Sequence, residues 1–209
     1  MNEEDAESEE RINIMTLGNM TVGKSSFILK YTENNFQEIY LATVGIDFKV
    51  KTLIIKDKQY KLFFYDTTGQ EKYKSISLNV IKTAHGVVLM YDITNKSSFE
   101  SIPDWISSIK EAKGDNFPMI LLGNKKDLEK ERQISIKEGE QLADENDIEF
   151  FETSNKEGTN INEAGLCIVN KILDKRKKDI LDYNSSQTST KLRSGARNVN
   201  QNSSKKCYF

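Results

Sequence analysis

The residues whose types and spacing carry the most chemical information lie at positions 18–25, Gly-Asn-Met-Thr-Val-Gly-Lys-Ser. The alternating apolar segment 12–17 predicts a β-strand before them, and Phe27 and Tyr31 have the spacing of a buried helix face after them. A glycine-rich loop between a strand and a helix can wrap its N–H groups around a polyphosphate, and the helix N-terminus adds a favourable partial charge. We therefore predict that this loop binds a nucleoside triphosphate.

Several side chains in and near this loop are predicted to bind phosphate or metal. Lys24 should reach the terminal phosphates, and the Ser25 hydroxyl should be a ligand of Mg²⁺. Asp66 follows the alternating segment 60–65 and should hold the same ion through a water. The residues assigned to phosphate binding are Gly18, Asn19, Met20, Thr21, Val22, Gly23, Lys24, Ser25, Ser26 and Gly69.

A second polar segment predicts which base is bound. Residues 124–127, Asn-Lys-Lys-Asp, follow the apolar segment 119–122. The Asp127 carboxylate can accept hydrogen bonds from guanine N1–H and from its 2-amino group, and adenine lacks this donor pair. Asn124 would brace the neighbouring loops, and the Lys125 stem would lie along the base. Alone the pattern is weak, because these are common turn residues.

The segment 152–156, Glu-Thr-Ser-Asn-Lys, strengthens this interpretation. It follows the apolar segment 148–151 and would present backbone N–H groups of Ser154, Asn155 and Lys156 to guanine O6. Together the two segments favour guanine over adenine.

Thr43 and Gly69 are predicted to respond to the third phosphate. Thr43 would complete the metal shell only when a γ-phosphate is present, and Gly69 could offer its N–H to that phosphate. Hydrolysis would remove the ligand that holds both segments in place, so the pattern predicts a switch.

The order of these motifs resembles that of small Ras-superfamily GTPases, and the chain is most similar to the Rab family. The resemblance rests on the phosphate loop, T-V-G-I-D-F at 43–48, D-T-T-G-Q-E at 66–71, N-K-K-D at 124–127 and E-T-S-N-K at 152–156. Segments 61–65 (K-L-F-F-Y) and 89–94 (L-M-Y-D-I-T) also resemble Rab sequences. The resemblance covers roughly residues 11–175.

This resemblance implies a molecular switch in vesicle-mediated membrane trafficking that binds GTP and GDP and hydrolyses GTP with Mg²⁺. It implies that Gln70 orients the attacking water and that Phe36 contributes to guanine binding. The implied partners are an exchange factor, a GTPase-activating protein, an escort or dissociation-inhibitor chaperone, and effectors. Effectors would be recognised by an aromatic triad of Phe48, Tyr65 and Tyr73, in which Tyr65 replaces the usual tryptophan.

Three departures from the family pattern affect the predicted rate of hydrolysis. Met20 occupies a loop position normally held by a small residue, and Thr68 and Asn155 stand where the family usually has alanine. Met20 and Thr68 leave open a second hypothesis, a binding module that holds GTP, hardly hydrolyses it and acts as a scaffold, whereas Gln70 favours the hydrolysing switch. An unrelated ATPase or kinase is disfavoured by Asp127.

The composition and the order of elements predict the fold class. Strand-like and helix-like segments alternate, which predicts a three-layer α/β domain with a central, mostly parallel sheet of about six strands and about five helices on both faces. The net charge of −2 gives no reason to expect nucleic-acid binding. Two cysteines, Cys167 and Cys207, exclude a disulfide scaffold, and the helical pattern around Cys167 predicts a core position. We expect a monomer.

The chain is predicted to have two tails around one domain. Residues 1–10 form an acidic disordered tail, residues 11–178 the GTPase domain, and residues 179–209 a flexible polar tail. The last segment resembles a prenylated Rab tail with Cys207 as the modified residue, although Cys207 stands third from the end and so is not a C-a-a-X box. A free thiol is the alternative. The expected location is the cytoplasmic face of an endomembrane or the plasma membrane, with cycling to the cytosol.

Two helix starts are predicted from capping boxes. Ser97 with Glu100, and Ser135 with Glu138, each have the required spacing. The helix after Ser97 would bury Trp105, the single tryptophan.

Overall fold

The computed structural model describes residues 10–36, 46–67 and 81–197. Its strands are β1 (Glu10–Leu17), β2 (Ile46–Ile55), β3 (Lys58–Thr67), β4 (Gly86–Asp92), β5 (Met119–Asn124) and β6 (Glu149–Glu152). Its helices are α1 (Lys24–Glu33), α2 (Lys96–Glu100), α3 (Ile102–Lys113), α4 (Ile136–Asn146) and α5 (Ile161–Arg197), with a 3₁₀-helix at Lys126–Glu131. The strands form one sheet in the order β2-β3-β1-β4-β5-β6.

The sheet is parallel except at one edge. β1 pairs in parallel with β3 and β4, and β5 pairs in parallel with β4 and β6. β2 and β3 form an antiparallel hairpin whose two-residue turn, Lys56 and Asp57, has positive φ at both positions. Such a turn matches the right-handed twist of paired strands. The carboxyl ends of the five parallel strands therefore meet at one edge of the sheet, where open α/β sheets bind ligands.

Helices cover both faces of the sheet. On one face, α3 contributes Trp105 and Ile109 to a buried cluster with residues of β1, β4 and β5. On the other face, α1 and α5 pack so closely that a side chain at Gly165 would lie 2.1 Å from the Tyr31 ring. All seven residues of β4 are buried, as expected for a strand covered on both sides. The predicted three-layer α/β fold is confirmed.

The capping box predicted for α4 is present. The Glu138 N–H donates to Ser135 Oγ at 3.3 Å, and the Ser135 N–H donates to Glu138 Oε2 at 2.7 Å. Side chains thus satisfy two of the backbone N–H donors at this helix start.

The capping box predicted at Ser97 is wrong. Asn95 caps α2 instead, and its Oδ1 accepts from the Ser98 N–H at 3.3 Å. The predicted single helix is also divided, because α2 ends at Glu100 and α3 starts with Pro103 in its first turn. Proline lacks an N–H, so it is tolerated in the first turn of a helix but would break a longer one, and it marks the start of a new helix here. Trp105 is buried as predicted.

The ends of the described chain differ from the predictions. Glu10 is the first residue of β1 and does not belong to a disordered tail, while residues 1–9 lie outside the described residues. Cys167 is half-buried and not a core residue. It lies at the margin of the buried face of α5, which includes Ala164 and Ile168. Burial nevertheless raises the pKa of its thiol.

We predicted helical structure to stop near residue 178, yet α5 continues to Arg197. Helical hydrogen bonds need no apolar face, and the Lys175–Asp179 ion pair at 2.5 Å joins successive turns of the helix. A division between two compact units falls between Ile172 and Leu173. Among the described residues, no helix has the length and apolar character required to cross a membrane.

Candidate functional site

The loop between β1 and α1 has the backbone of a phosphate cradle. Gly18, Thr21 and Gly23 have φ values of 138°, 62° and 103°. Glycine is required at the first position, because a Cβ at Gly18 would lie 2.1 Å from the Met90 carbonyl oxygen of β4. Gly23 is the N-cap of α1, and no side chain caps this helix. An N-terminus without a side-chain cap suits an anion.

Lys24 lies at the centre of this cradle. Its ammonium donates to the carbonyls of Gly18 at 3.0 Å and Asn19 at 2.7 Å. Burial lowers the pKa of Lys24 from 10.5 to about 8, and the Asp66 carboxylate opposes this shift. A buried ammonium in a loop that can surround phosphate is thus positioned for an anionic ligand.

Two predicted metal ligands are in direct contact. Ser25 Oγ donates to Asp66 Oδ2 at 2.5 Å, so the start of α1 and the end of β3 place a hydroxyl and a carboxylate oxygen side by side. Among the described residues, no group of three or more His, Cys, Asp or Glu side chains could hold a metal. Mg²⁺ bound with nucleotide phosphates needs only one or two carboxylates, and oxygen ligands suit it. The donor set therefore fits this ion.

The predicted guanine-binding segment is joined to the phosphate loop. Asn124, at the end of β5, donates through Nδ2 to the Val22 carbonyl at 2.8 Å. Its Oδ1 accepts from Thr153 Oγ1 at 3.2 Å. One buried amide thus connects the phosphate loop to both polar segments at the carboxyl edge.

Lys125 and Asp127 are each held by a neighbouring side chain. Lys125 forms an ion pair of 2.6 Å with Asp92, and Asp127 Oδ1 accepts from Ser154 Oγ at 2.6 Å. We did not predict the role of Asp92. Asp92 lies at the end of β4 and is paired in register with Asn124. Its position at a strand end beside a predicted site is the sequence feature that could have indicated its role.

Asn155 also contacts the phosphate loop, through a hydrogen bond from Nδ2 to the Gly23 carbonyl at 2.9 Å. Lys156 is exposed, and Phe36 is half-buried at the end of its described segment. Met20 is 37% exposed on the loop, and Val22 is buried. Ser26 is half-buried in the first turn of α1. Thr43, Thr68, Gly69, Gln70 and Cys207 lie outside the described residues.

Two supporting contacts were missed by sequence reasoning. Asn19 Nδ2 donates to Ser101 Oγ at 3.0 Å and ties the phosphate loop to the start of α3. The Arg132 guanidinium donates to both carboxylate oxygens of Glu152, at 2.5 and 2.9 Å, and so anchors the first residue of the segment 152–156. Glu152 lies in a recognised motif, but its partner carries no signal in the sequence.

The exposed side of the β2–β3 hairpin carries two members of the predicted aromatic triad. Phe48 is 51% exposed, and its ring centroid lies 6.1 Å from that of Tyr65. Arg11 donates to the Tyr65 hydroxyl at 2.8 Å and stacks over Phe63. The hydroxyl that distinguishes tyrosine from tryptophan here is therefore hydrogen-bonded. Tyr73 lies outside the described residues.

Comparison with known proteins identifies the family. The family model described as Ras family matches residues 13–174. The chain is 45% identical over 162 residues to Ras-related protein Rab-3 of Caenorhabditis elegans, covering 78% of this chain and 74% of that protein. It is 43% identical over 167 residues to Ras-related protein Rab-3A of Homo sapiens, covering 80% and 76%. With Ras-related protein Rab-3C of Bos taurus the identity is 42%, covering 80% and 74%.

These relatives and the fold confirm the predicted family, cofactors and activity. The chain belongs to the Rab GTPases of the Ras superfamily, which bind GTP and GDP with Mg²⁺, hydrolyse GTP and act as switches in vesicle trafficking.

Proposed function

We propose that the carboxyl edge of the sheet is the nucleotide site and that residues 18–26 hold the polyphosphate. The observation that carries this proposal is the hydrogen bond from Asn124 to the Val22 carbonyl. It joins the segment that would select guanine to the loop that would cradle phosphate, so one molecule can contact both. Asp127 would accept the two guanine donors, and the backbone of residues 154–156 would donate to guanine O6.

The phosphates and the metal would be held by a small set of side chains. Lys24 would direct its ammonium to phosphate oxygens, which replace the loop carbonyls as its partners. Ser25 and Thr43 would offer hydroxyl oxygens to Mg²⁺, and Asp66 would hold the ion through a water. When bound, Mg²⁺ would neutralise charge on the β- and γ-phosphates.

Hydrolysis would depend on Gln70 and on the γ-phosphate contact of Gly69. Gln70 would orient the attacking water against the γ-phosphate. Met20 is 37% exposed on the phosphate loop. Its apolar side chain would project toward the space in which Gln70 meets the γ-phosphate.

Single-turnover hydrolysis of GTP tests the role of Gln70. Gln70→Leu should slow both the intrinsic rate and the rate stimulated by an activating protein, because leucine cannot hydrogen-bond water. The matched control is Gln141→Leu on α4, where the exposed amide donates to Glu145 at 2.9 Å. Unchanged hydrolysis in Gln70→Leu would remove Gln70 from the mechanism.

We further propose that effectors dock on the exposed aromatic surface of β2 and β3, where they would contact Phe48, Tyr65 and Tyr73. The hydrogen bond from Arg11 fixes the Tyr65 ring. Regulators would include an exchange factor, an activating protein and a chaperone that shields a lipid.

Membrane attachment is proposed to use a geranylgeranyl group on Cys207, assisted by Lys205 and Lys206. One lipid chain gives only reversible attachment, and each lysine adds about 1 kcal/mol at an anionic surface. The protein would then reside on the cytoplasmic face of an endomembrane or the plasma membrane and cycle through the cytosol.

Mass spectrometry of the C-terminal peptide from membrane-bound protein tests this attachment. The expected result is a prenylated Cys207, with Cys207→Ser cytosolic in every nucleotide state. Cys167→Ser is the matched control, because the half-buried Cys167 lies on α5 within the folded domain. An unmodified Cys207 in membrane-bound protein would refute the proposed anchor.

A further inference from the structure

The side chain of Asn155 makes a contact that the usual alanine at this position could not make. Its amide Nδ2 donates to the Gly23 carbonyl at 2.9 Å. Asn124 donates to the carbonyl of the preceding residue, Val22, at 2.8 Å. Two buried amides from separate loops therefore hold two consecutive carbonyls of the phosphate loop.

The packing around Gly23 shows how closely these amides approach the loop. A Cβ at Gly23 would lie 2.3 Å from Asn124 Nδ2 and 2.7 Å from Asn155 Nδ2. Gly23 is also the N-cap of α1, so its position sets the direction of the first N–H groups of that helix. A tether at Gly23 thus acts where the phosphate would bind.

Packing alone does not account for an amide at position 155. Asn155 is 4% exposed, and its Oδ1 is buried with no hydrogen-bond partner in the described part of the chain. A small apolar side chain would avoid the desolvation of this oxygen. The hydrogen bond from Nδ2 is the interaction that an apolar residue would lose.

We propose that Asn155 is a positioning residue that couples the guanine-reading loop, residues 152–156, to the phosphate loop, residues 18–25, and slows the release of guanine nucleotide. This inference rests on the proposed placement of the nucleotide at these loops. A nucleotide held by both loops leaves when one loop moves away from the other, and the tether from Asn155 to Gly23 opposes that movement. It acts through Gly23 and not on the γ-phosphate, so GDP and GTP should be affected equally.

The test is the dissociation rate of a fluorescent GDP and of a fluorescent non-hydrolysable GTP analogue. Asn155→Ala should release both about threefold to tenfold faster than the parent, the range set by one net hydrogen bond. The control is Asn146→Ala at the C-terminal end of α4, which removes an amide hydrogen bond to the Leu142 carbonyl together with the hydrogen bond that Asn146 accepts from Lys110. Its release rates should match those of the parent.

A second variant supplies a pH profile that a merely structural role would not produce. Asn155→Asp has the same shape but, when ionised, directs a carboxylate at the Gly23 carbonyl, so release near neutral pH should be faster than in Asn155→Ala. Protonation restores a donor, so its release should slow relative to Asn155→Ala as the pH falls toward the carboxyl pKa.

Three results would overturn the inference. They are release from Asn155→Ala within twofold of the parent, equal acceleration in Asn146→Ala, or an Asn155→Asp variant whose release follows the pH profile of Asn155→Ala. If Asn155→Ala does not fold, the pH profile of Asn155→Asp against the parent decides. A parent protein that binds no guanine nucleotide would instead refute the placement of the site.

Discussion

The ion pair between Arg132 and Glu152 should be a main support of the proposed guanine-binding segment 152–156, and Arg132→Ala should reveal it. The Glu152 side chain is 5% exposed and that of Arg132 is 14% exposed. Two parallel hydrogen bonds of 2.5 and 2.9 Å join them, and Arg132 also donates to the Ile134 carbonyl at 2.9 Å. Glu129 is a second partner of Arg132 and lies at the surface.

The expected effect follows from what the substitution leaves behind. In Arg132→Ala the Glu152 carboxylate stays buried and loses both charge-assisted hydrogen bonds. Removing one partner of a buried pair lowers the free energy of unfolding by about 3–5 kcal/mol, and we expect the lower end because Arg132 is partly solvated. Adding Glu152→Gln removes the buried charge and should recover about 1–2 kcal/mol.

Urea unfolding of the GDP-bound protein, followed by the fluorescence of the single tryptophan, measures this effect. Trp105 is 3% exposed and therefore reports on the folded core. The matched control is Glu129→Gln, which removes only the exposed partner and should leave the unfolding midpoint near that of the parent. A loss below about 1 kcal/mol in Arg132→Ala would refute the reasoning, because it would place the pair among weak surface ion pairs.

Three further predictions concern the nucleotide site. Burial lowers the pKa of Lys24 to about 8 in the protein without nucleotide, whereas bound phosphate favours the charged ammonium. The affinity for GDP should therefore fall as the pH rises through about 8, and calorimetry should detect proton uptake on binding. Met20→Gly with Thr68→Ala should speed intrinsic hydrolysis, because crowding that displaces a catalytic group by about 1 Å can slow a reaction on the order of 10²-fold; a double variant no faster than the parent would contradict this. Asp92→Asn should weaken GDP binding by about 1 kcal/mol, since it loosens Lys125, and unchanged binding in a titration would show that the ion pair has no such role.

The side chains proposed to contact the nucleotide were the most predictable part of the candidate site. Several of them lie at or just after the end of a periodic strand pattern, and the parallel sheet brings those ends together. Asp66 and Asn124 are far apart in sequence, yet both form hydrogen bonds with the phosphate loop at the carboxyl edge of the sheet. Asp66 accepts from Ser25, and Asn124 donates to the Val22 carbonyl. Local patterns and the rule for parallel strands were sufficient to place them.

The residues that support the site were not predictable from one sequence. Arg132 and Glu152, or Asp92 and Lys125, meet only because the register of the strands and the path of a loop bring them together. No local pattern encodes such a pair. The contact from Asn155 to Gly23 spans 132 positions in the chain and belongs to the same class.

Two local predictions failed for different physical reasons. Ser97 has the spacing of a cap, but Asn95 directly precedes the first helical residue, Lys96, and asparagine is an equally good cap. The predicted burial of Cys167 failed because a helix stripe has a margin, and a residue on that margin is only half-buried. Periodicity locates the face of a helix more reliably than the edges of that face.

Selectivity for guanine is the most direct test of the central claim, which is that Asp127 and the phosphate loop bind one guanine nucleotide. The measurement is an equilibrium titration of the nucleotide-free protein with GDP, GTP, ADP and ATP. We predict tight binding of both guanine nucleotides and far weaker binding of the adenine nucleotides. Asp127→Asn should lose about 1.5–3 kcal/mol of affinity for GDP, while the exposed control Asp104→Asn should bind GDP as the parent does. Equal affinity for GTP and ATP in the parent, or unchanged GDP affinity in Asp127→Asn, would contradict the account.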